Sequence, residues 1–78
     1  MRELHTIARE IRQAWGSKVN YAAKPYLDAM GDLSGIGDRY GFDDARSIVL
    51  YFLSNASSYR GDAAKAHKAE LKAMCGIK

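Results

Sequence analysis

Apolar side chains return every three or four positions at the start of the chain, where Leu4, Ile7, Ile11, Ala14 and Trp15 form one stripe with charged residues between them. That spacing predicts an amphipathic helix. Gly16 is placed to end it, because glycine takes a positive φ without a Cβ clash. In SKVNYAAKPYLDAMGDL the proline suits a first helical turn and not an interior one, so a second helix is expected to begin near Pro25. Tyr21 to Lys24 would form a short turn before it, and Tyr26, Leu27, Met30 and Leu33 would face the core. The stretch DDARSIVLYFLSNASSY opens on aspartates able to cap a helix and continues apolar almost all round. Ala45, Val49, Phe52 and Ala56 keep helical spacing, and the run SIVLYF has no partner strand, so a central buried helix is predicted there. YRGD ends it. Asp62 is then expected to cap a fourth helix, with Ala64, His67, Leu71 and Met74 on one side, lysines on the other and Gly76 at its end. The expected fold is all-α, a compact bundle of about four short helices in a single domain over residues 1–78, without repeats or a linker.

Composition narrows this picture. A chain of 78 residues that is 47% hydrophobic and 27% charged is of ordinary globular type. At this size it buries only about 60% of the surface exposed in the unfolded chain, so the core must be small. The one cysteine, Cys75, has no partner for an internal disulfide, and a cytoplasmic setting is expected. The opening MRELHTIAREIRQAWG interrupts its apolar pairs with charge, unlike a signal peptide, and no stretch approaches the roughly 20 apolar residues of a membrane span. The net charge of +3 is unevenly spread: Asp28, Asp32, Asp38, Asp43 and Asp44 face Arg39 alone in the middle of the chain, while both ends are basic.

The glycine-rich stretch GDLSGIGDRYGFDD raises the question of a phosphate or metal loop. Gly35, Gly37 and Gly41 miss the G-x-G-x-x-G spacing and follow a helix rather than a strand. No Gly-Lys-Ser or Gly-Lys-Thr is present for a Walker-type loop. A calcium loop starting at Asp32 would put Ile36 at its fifth position and lack the bidentate glutamate at its twelfth. An architectural connection is expected, with Asp43 capping the third helix.

Catalytic sets are equally hard to assemble. His5 and His67 lie on different helices, and neither has a nucleophile or carboxylate partner evident in the sequence. His67 is expected at the core edge and His5 at the surface. Cys75 lies near the end of the fourth helix, where a reactive thiolate would need a cationic or helix-N-terminal setting, and it reads as a small buried or half-buried filler. One cysteine and two distant histidines do not make a zinc site. The expectation is a protein without enzymatic activity, metal or cofactor.

Two charged faces remain. His5, Arg9 and Arg12 share a face of the first helix with Arg2 nearby, and Lys65, Lys68 and Lys72 line the fourth; together they are the candidate nucleic-acid contacts. Sequence-specific reading by a helix-turn-helix is disfavoured, because the third helix is too apolar to lie in a groove. Candidate protein contacts are Asp38, Arg39 and Tyr40 in the glycine-rich loop and Tyr59 and Arg60 in the SYRGD turn, since tyrosine and arginine anchor interfaces.

Taken together, PYLDAM, DRYGFDDARSIVLYFLSNA and YRGDAAKAHKAELKAM give a pattern from Pro25 to Met74 that resembles short uncharacterised open reading frames of bacteriophages, prophages and other mobile elements. The resemblance carries no catalytic residue. It implies an inhibitor of host machinery of the anti-CRISPR kind, with a bacterial host protein as partner, such as a CRISPR effector or a surveillance-complex subunit. The basic charge argues against acidic mimicry of DNA and for contact with a protein that also sees nucleic acid. The alternative expectation is a small basic accessory protein of nucleic acid using the arginine and lysine faces. A monomer and a helical homodimer are both compatible with so small a core.

Overall fold

Residues 2–41 and 43–76 are described by a computed structural model of the chain. Four α-helices follow in order, α1 (Leu4–Trp15), α2 (Lys24–Met30), α3 (Ala45–Ser54) and α4 (Asp62–Met74), so the protein is predominantly helical. A single 3-10 turn, Gly16–Lys18, continues α1. Between α2 and α3 the two-residue strands β1 (Arg39–Tyr40) and β2 (Asp43–Asp44) pair antiparallel, with Arg39 opposite Asp44 and Tyr40 opposite Asp43. The radius of gyration is 11.1 Å, close to the value of about 11.5 Å for a compact chain of this length.

The helical stripes converge on one core. Leu4, Ile7 and Ile11 from α1, Leu27 and Met30 from α2, Val49 and Phe52 from α3, and Leu71 from α4 are fully enclosed. Trp15 meets Phe52 edge to face at 6.2 Å between ring centroids and stacks on Tyr59 at 4.9 Å. Two details of the expected stripes change: on α1, Ala8 is buried and Ala14 exposed, because the stripe drifts around a helix of 3.6 residues per turn. The third helix is not buried all round either. Ala45, Ile48, Val49 and Phe52 face inward against α2 and α4, Leu50 and Leu53 are half-buried, and Tyr51 stands 52% exposed.

Helix ends depart from the expected caps in instructive ways. Asp44, not Asp43, caps α3: its carboxylate accepts from the Ser47 backbone N–H at 2.7 Å, while Asp43 lies one place too early, in the strand pair. The strand pair itself was unforeseen in an all-α reading, because two residues carry no detectable alternation. α3 also stops at Ser54, short of the expected end near Tyr59. Ser54 Oγ donates to the Leu50 carbonyl and Asn55 Nδ2 to that of Tyr51, while the Asn20 amide donates to the Asn55 carbonyl, so these polar side chains fix a terminus there. Nor does Asp62 cap α4. The residue at the cap is Gly61, whose φ of 109° and ψ of 179° suit only glycine, and Asp62 begins the first turn. Gly16 ends α1 with φ 64° as expected.

The glycine-rich connection is hydrogen-bonded to the helices on either side of it. Glu3 makes no side-chain cap for α1; instead the Leu4 and His5 N–H groups donate to the Ser34 and Leu33 carbonyls at 2.8 and 2.9 Å. Asp38 Oδ2 in turn accepts from the Ser34 and Gly35 N–H groups at 2.8 and 3.1 Å, and the Asp38 carbonyl receives the Ala45 N–H at 2.8 Å. The loop therefore ties the start of α1 to the start of α3.

Candidate interaction surfaces

Helices α1 and α4 pack side by side, and their facing polar residues lock together. Arg2 donates from Nε and Nη2 to both oxygens of Glu70, at 3.0 and 2.6 Å, and from Nη1 to Glu10. These bonds raise the affinity of Arg2 for its proton and hold the Glu10 and Glu70 carboxyls below the usual glutamate range. Glu10 Oε1 also receives His67 Nε2–H at 3.1 Å, and the Tyr59 hydroxyl lies 2.7 Å from Nδ1. A carboxylate only accepts, so in the neutral ring Nε2 carries the hydrogen and Tyr59 donates to Nδ1. His67 thus has both a carboxylate and a hydroxyl partner, neither evident in the sequence. The sequence hid them because Glu10 is 57 residues away. Tyr59 and His67 are only 3% and 8% exposed, so the hydroxyl is enclosed rather than presented at a surface. Burial, then the Glu10 charge, pushes the Tyr59 phenol up from its ordinary value.

This packing redistributes the candidate nucleic-acid contacts. Arg2 is spent on Glu10 and Glu70, His5 pairs with Glu3, and Arg12 pairs with Asp28. Arg9 alone of that face is exposed without an ion pair among the described residues. The α4 face is different. Lys65 and Lys72 are exposed and, with Lys68, form no ion pair among the described residues. Lys68 Nζ donates to the Tyr59 carbonyl at 2.7 Å. Burial of its stem, followed by the nearby Lys72 and Arg60 charges, holds the Lys68 ammonium below the usual lysine range.

The candidate protein contacts also separate. Asp38 is exposed but its carboxylate is engaged by the Ser34 and Gly35 N–H groups, which lower its pKa. Arg39 is exposed on β1, and the Tyr40 side chain lies outside what the structure describes. Tyr59 is not an exposed contact: its ring is closed between Trp15 and His67. Arg60 is exposed, its Nε donating to the Ser57 carbonyl at 3.3 Å. It joins Lys65 and Lys68 around a cleft of about 380 Å³ whose wall also includes Gly61 and Asp62. Two sets that read as separate in the sequence, the SYRGD turn and the lysine face, therefore meet at the start of α4.

A second surface is aromatic. Tyr26 on α2 and Tyr51 on α3 lie with ring centroids 5.5 Å apart, and Tyr21, in the turn before α2, is 95% exposed. The only sequence signal for this face is that Tyr51 falls off the stripe of Ala45, Val49 and Phe52. Cys75 is buried, as its composition context implied, and burial pushes its thiol up. Among the described residues no group of three His, Cys, Asp or Glu side chains is placed to hold a metal ion, and no helix is long and apolar enough to cross a membrane. No protein-family model, curated protein or solved structure matches the chain.

Proposed function

We propose that the protein is a non-enzymatic binding protein, a four-helix bundle that inhibits a bacterial defence complex in the host cytoplasm by protein–protein contact. The phage and mobile-element resemblance supplies the setting, and anti-CRISPR activity is its named form. One observation carries the binding surface: Trp15, Phe52 and Tyr59 are enclosed, whereas Tyr21 and Tyr51 are exposed, Tyr51 resting against the half-buried Tyr26 ring. A tyrosine ring brings large contact area with few rotatable bonds and keeps a hydroxyl for a rim hydrogen bond, which is why such rings anchor interfaces. The partner on this reading is an effector or surveillance-complex subunit.

The test is phage plaquing on a CRISPR-immune strain that expresses the chain, together with co-elution on a purified surveillance complex or effector at high salt. Restored plaquing and co-elution, both lost in Tyr21→Ala/Tyr51→Ala, are expected. Unchanged immunity together with no co-elution against the effector types tested would overturn the inhibitor reading. Inhibition that survives the double substitution would overturn the choice of surface.

A further inference from the structure

We infer that the cleft between the SYRGD turn and α4, lined by Arg60, Lys65 and Lys68 and continued along α4 by Lys72 one turn further on, is a second binding site, one for the sugar–phosphate backbone of nucleic acid. Tyr21, Tyr26 and Tyr51 are not among the residues that line it. Three cations line it and Lys72 stands near Lys68 on α4, none of the four with an acidic ion-pair partner among the described residues, whereas three of the four basic side chains on the α1 side are each matched by a carboxylate. Only Asp62 brings negative charge to the cleft wall.

Two of the cations are held ready by the backbone. With Nε on the Ser57 carbonyl, Arg60 keeps its two terminal nitrogens for the paired oxygens of a phosphate. Lys68 uses one N–H on the Tyr59 carbonyl and has two left. Fixing them in advance lowers the side-chain entropy lost on binding. Lys65, Lys68 and Lys72 stand at positions i, i+3 and i+7 of one helix, a row about 10 Å long at 1.5 Å per residue, and Arg60 extends it past the helix start. A line of cations matches a backbone of regularly repeated phosphates better than the irregular carboxylates of an acidic protein. A bound polyanion would also relieve the mutual repulsion of Lys68, Lys72 and Arg60. With only four contacts and no groove-reading helix, the binding would be independent of base sequence.

The experiment is fluorescence anisotropy of the whole protein with labelled single-stranded DNA of about ten nucleotides, a site size typical of small single-strand binders. Salt would be raised from about 50 to 200 mM, and log Kd followed against log salt. Lys65→Gln/Lys72→Gln changes only exposed side chains. It is expected to weaken binding about tenfold at low salt and to reduce the salt slope by about one to two. Arg9→Gln, on the α1 face, is expected to leave both unchanged. Absence of salt-dependent binding by the wild-type protein would overturn the inference, as would a wild-type slope in the double variant or an equal loss in Arg9→Gln. Polyglutamate of matched charge is expected to compete weakly; equal competition would assign the cleft to an acidic protein instead.

Discussion

His67 and Glu10, 57 residues apart in the chain, meet at 3.1 Å and join α4 to α1 through a charged hydrogen bond, with the Tyr59 hydroxyl closing the other side of the imidazole. The relationship places a polar chain, Tyr59–His67–Glu10–Arg2–Glu70, along the seam of two helices whose apolar stripes meet beneath it. Every buried side-chain nitrogen or oxygen among the described residues has a partner. Within the buried Tyr59–His67 pair, loss of one partner therefore leaves the other unsatisfied.

Tyr59→Phe removes the donor to Nδ1 while keeping the stack on Trp15. It is expected to cost about 1–3 kcal/mol, the penalty for a buried polar atom left without a partner. Urea unfolding followed by the fluorescence of Trp15, the one tryptophan, measures it directly. His67→Leu is expected to cost less in the Tyr59→Phe background than alone, since the two residues are coupled. Additive losses would show that the hydrogen bond contributes nothing of its own.

The cap of α3 discriminates between two adjacent aspartates. Asp44→Ala is expected to destabilise the protein by about 1 kcal/mol, because the Ser47 N–H loses its acceptor. Asp43→Ala, whose carboxylate makes no such bond, is expected to lie within about 0.5 kcal/mol of wild type, as for an ordinary surface change. Paired denaturation curves decide between them. A reversed order would move the helix start back to Asp43.

Acid should loosen the α1–α4 seam. Bonds from Arg2, first of all, depress the folded-state pKa of Glu10 and Glu70. A carboxyl depressed in the folded state binds protons more weakly there than in the unfolded chain. Its contribution is present above the unfolded value and is lost as pH falls through the folded one. The urea midpoint is therefore expected to hold near neutral pH and to drop below about pH 4. Asp38 and Asp44, depressed by backbone N–H bonds, titrate in the same sense. Arg2→Gln is expected to lower the midpoint at pH 7 and to flatten the acid decline, leaving the aspartate part and the part of Glu10 that rests on His67. Parallel profiles for the two proteins would remove Arg2 from the explanation.

Much of the helical content was legible from spacing alone. Ala45, Val49 and Phe52 on the predicted inner side of α3, and all four predicted positions on α4, are buried, as is Ala56 just beyond the end of α3. Helical periodicity is local: residues three and four apart share a face whatever the rest of the chain does. The turns were less legible, because Asp43 and Asp44 are the same residue type, and glycine and aspartate, as at Gly61 and Asp62, both occur at helix starts. Their roles depend on which one the preceding segment brings into cap geometry. For the first pair that segment is the hairpin, held to α1 through Ser34 and to α3 through the Asp38 carbonyl.

The surfaces were the least legible part. By itself the sequence determined that there are four helices, most of their inward positions and the end of α1 at Gly16. It also displayed the basic residues at each end, but not which of them remain available. Only the tertiary structure decided that Arg2 lies on Glu70, 68 residues away, that Tyr59 is enclosed while Tyr51 is not, and that Arg60 joins the lysines of α4 around one cleft. The physical reason is one of range. Helix formation and amphipathicity are set by neighbours along the chain, whereas neutralising a charge or covering a ring depends on which distant segment packs beside it.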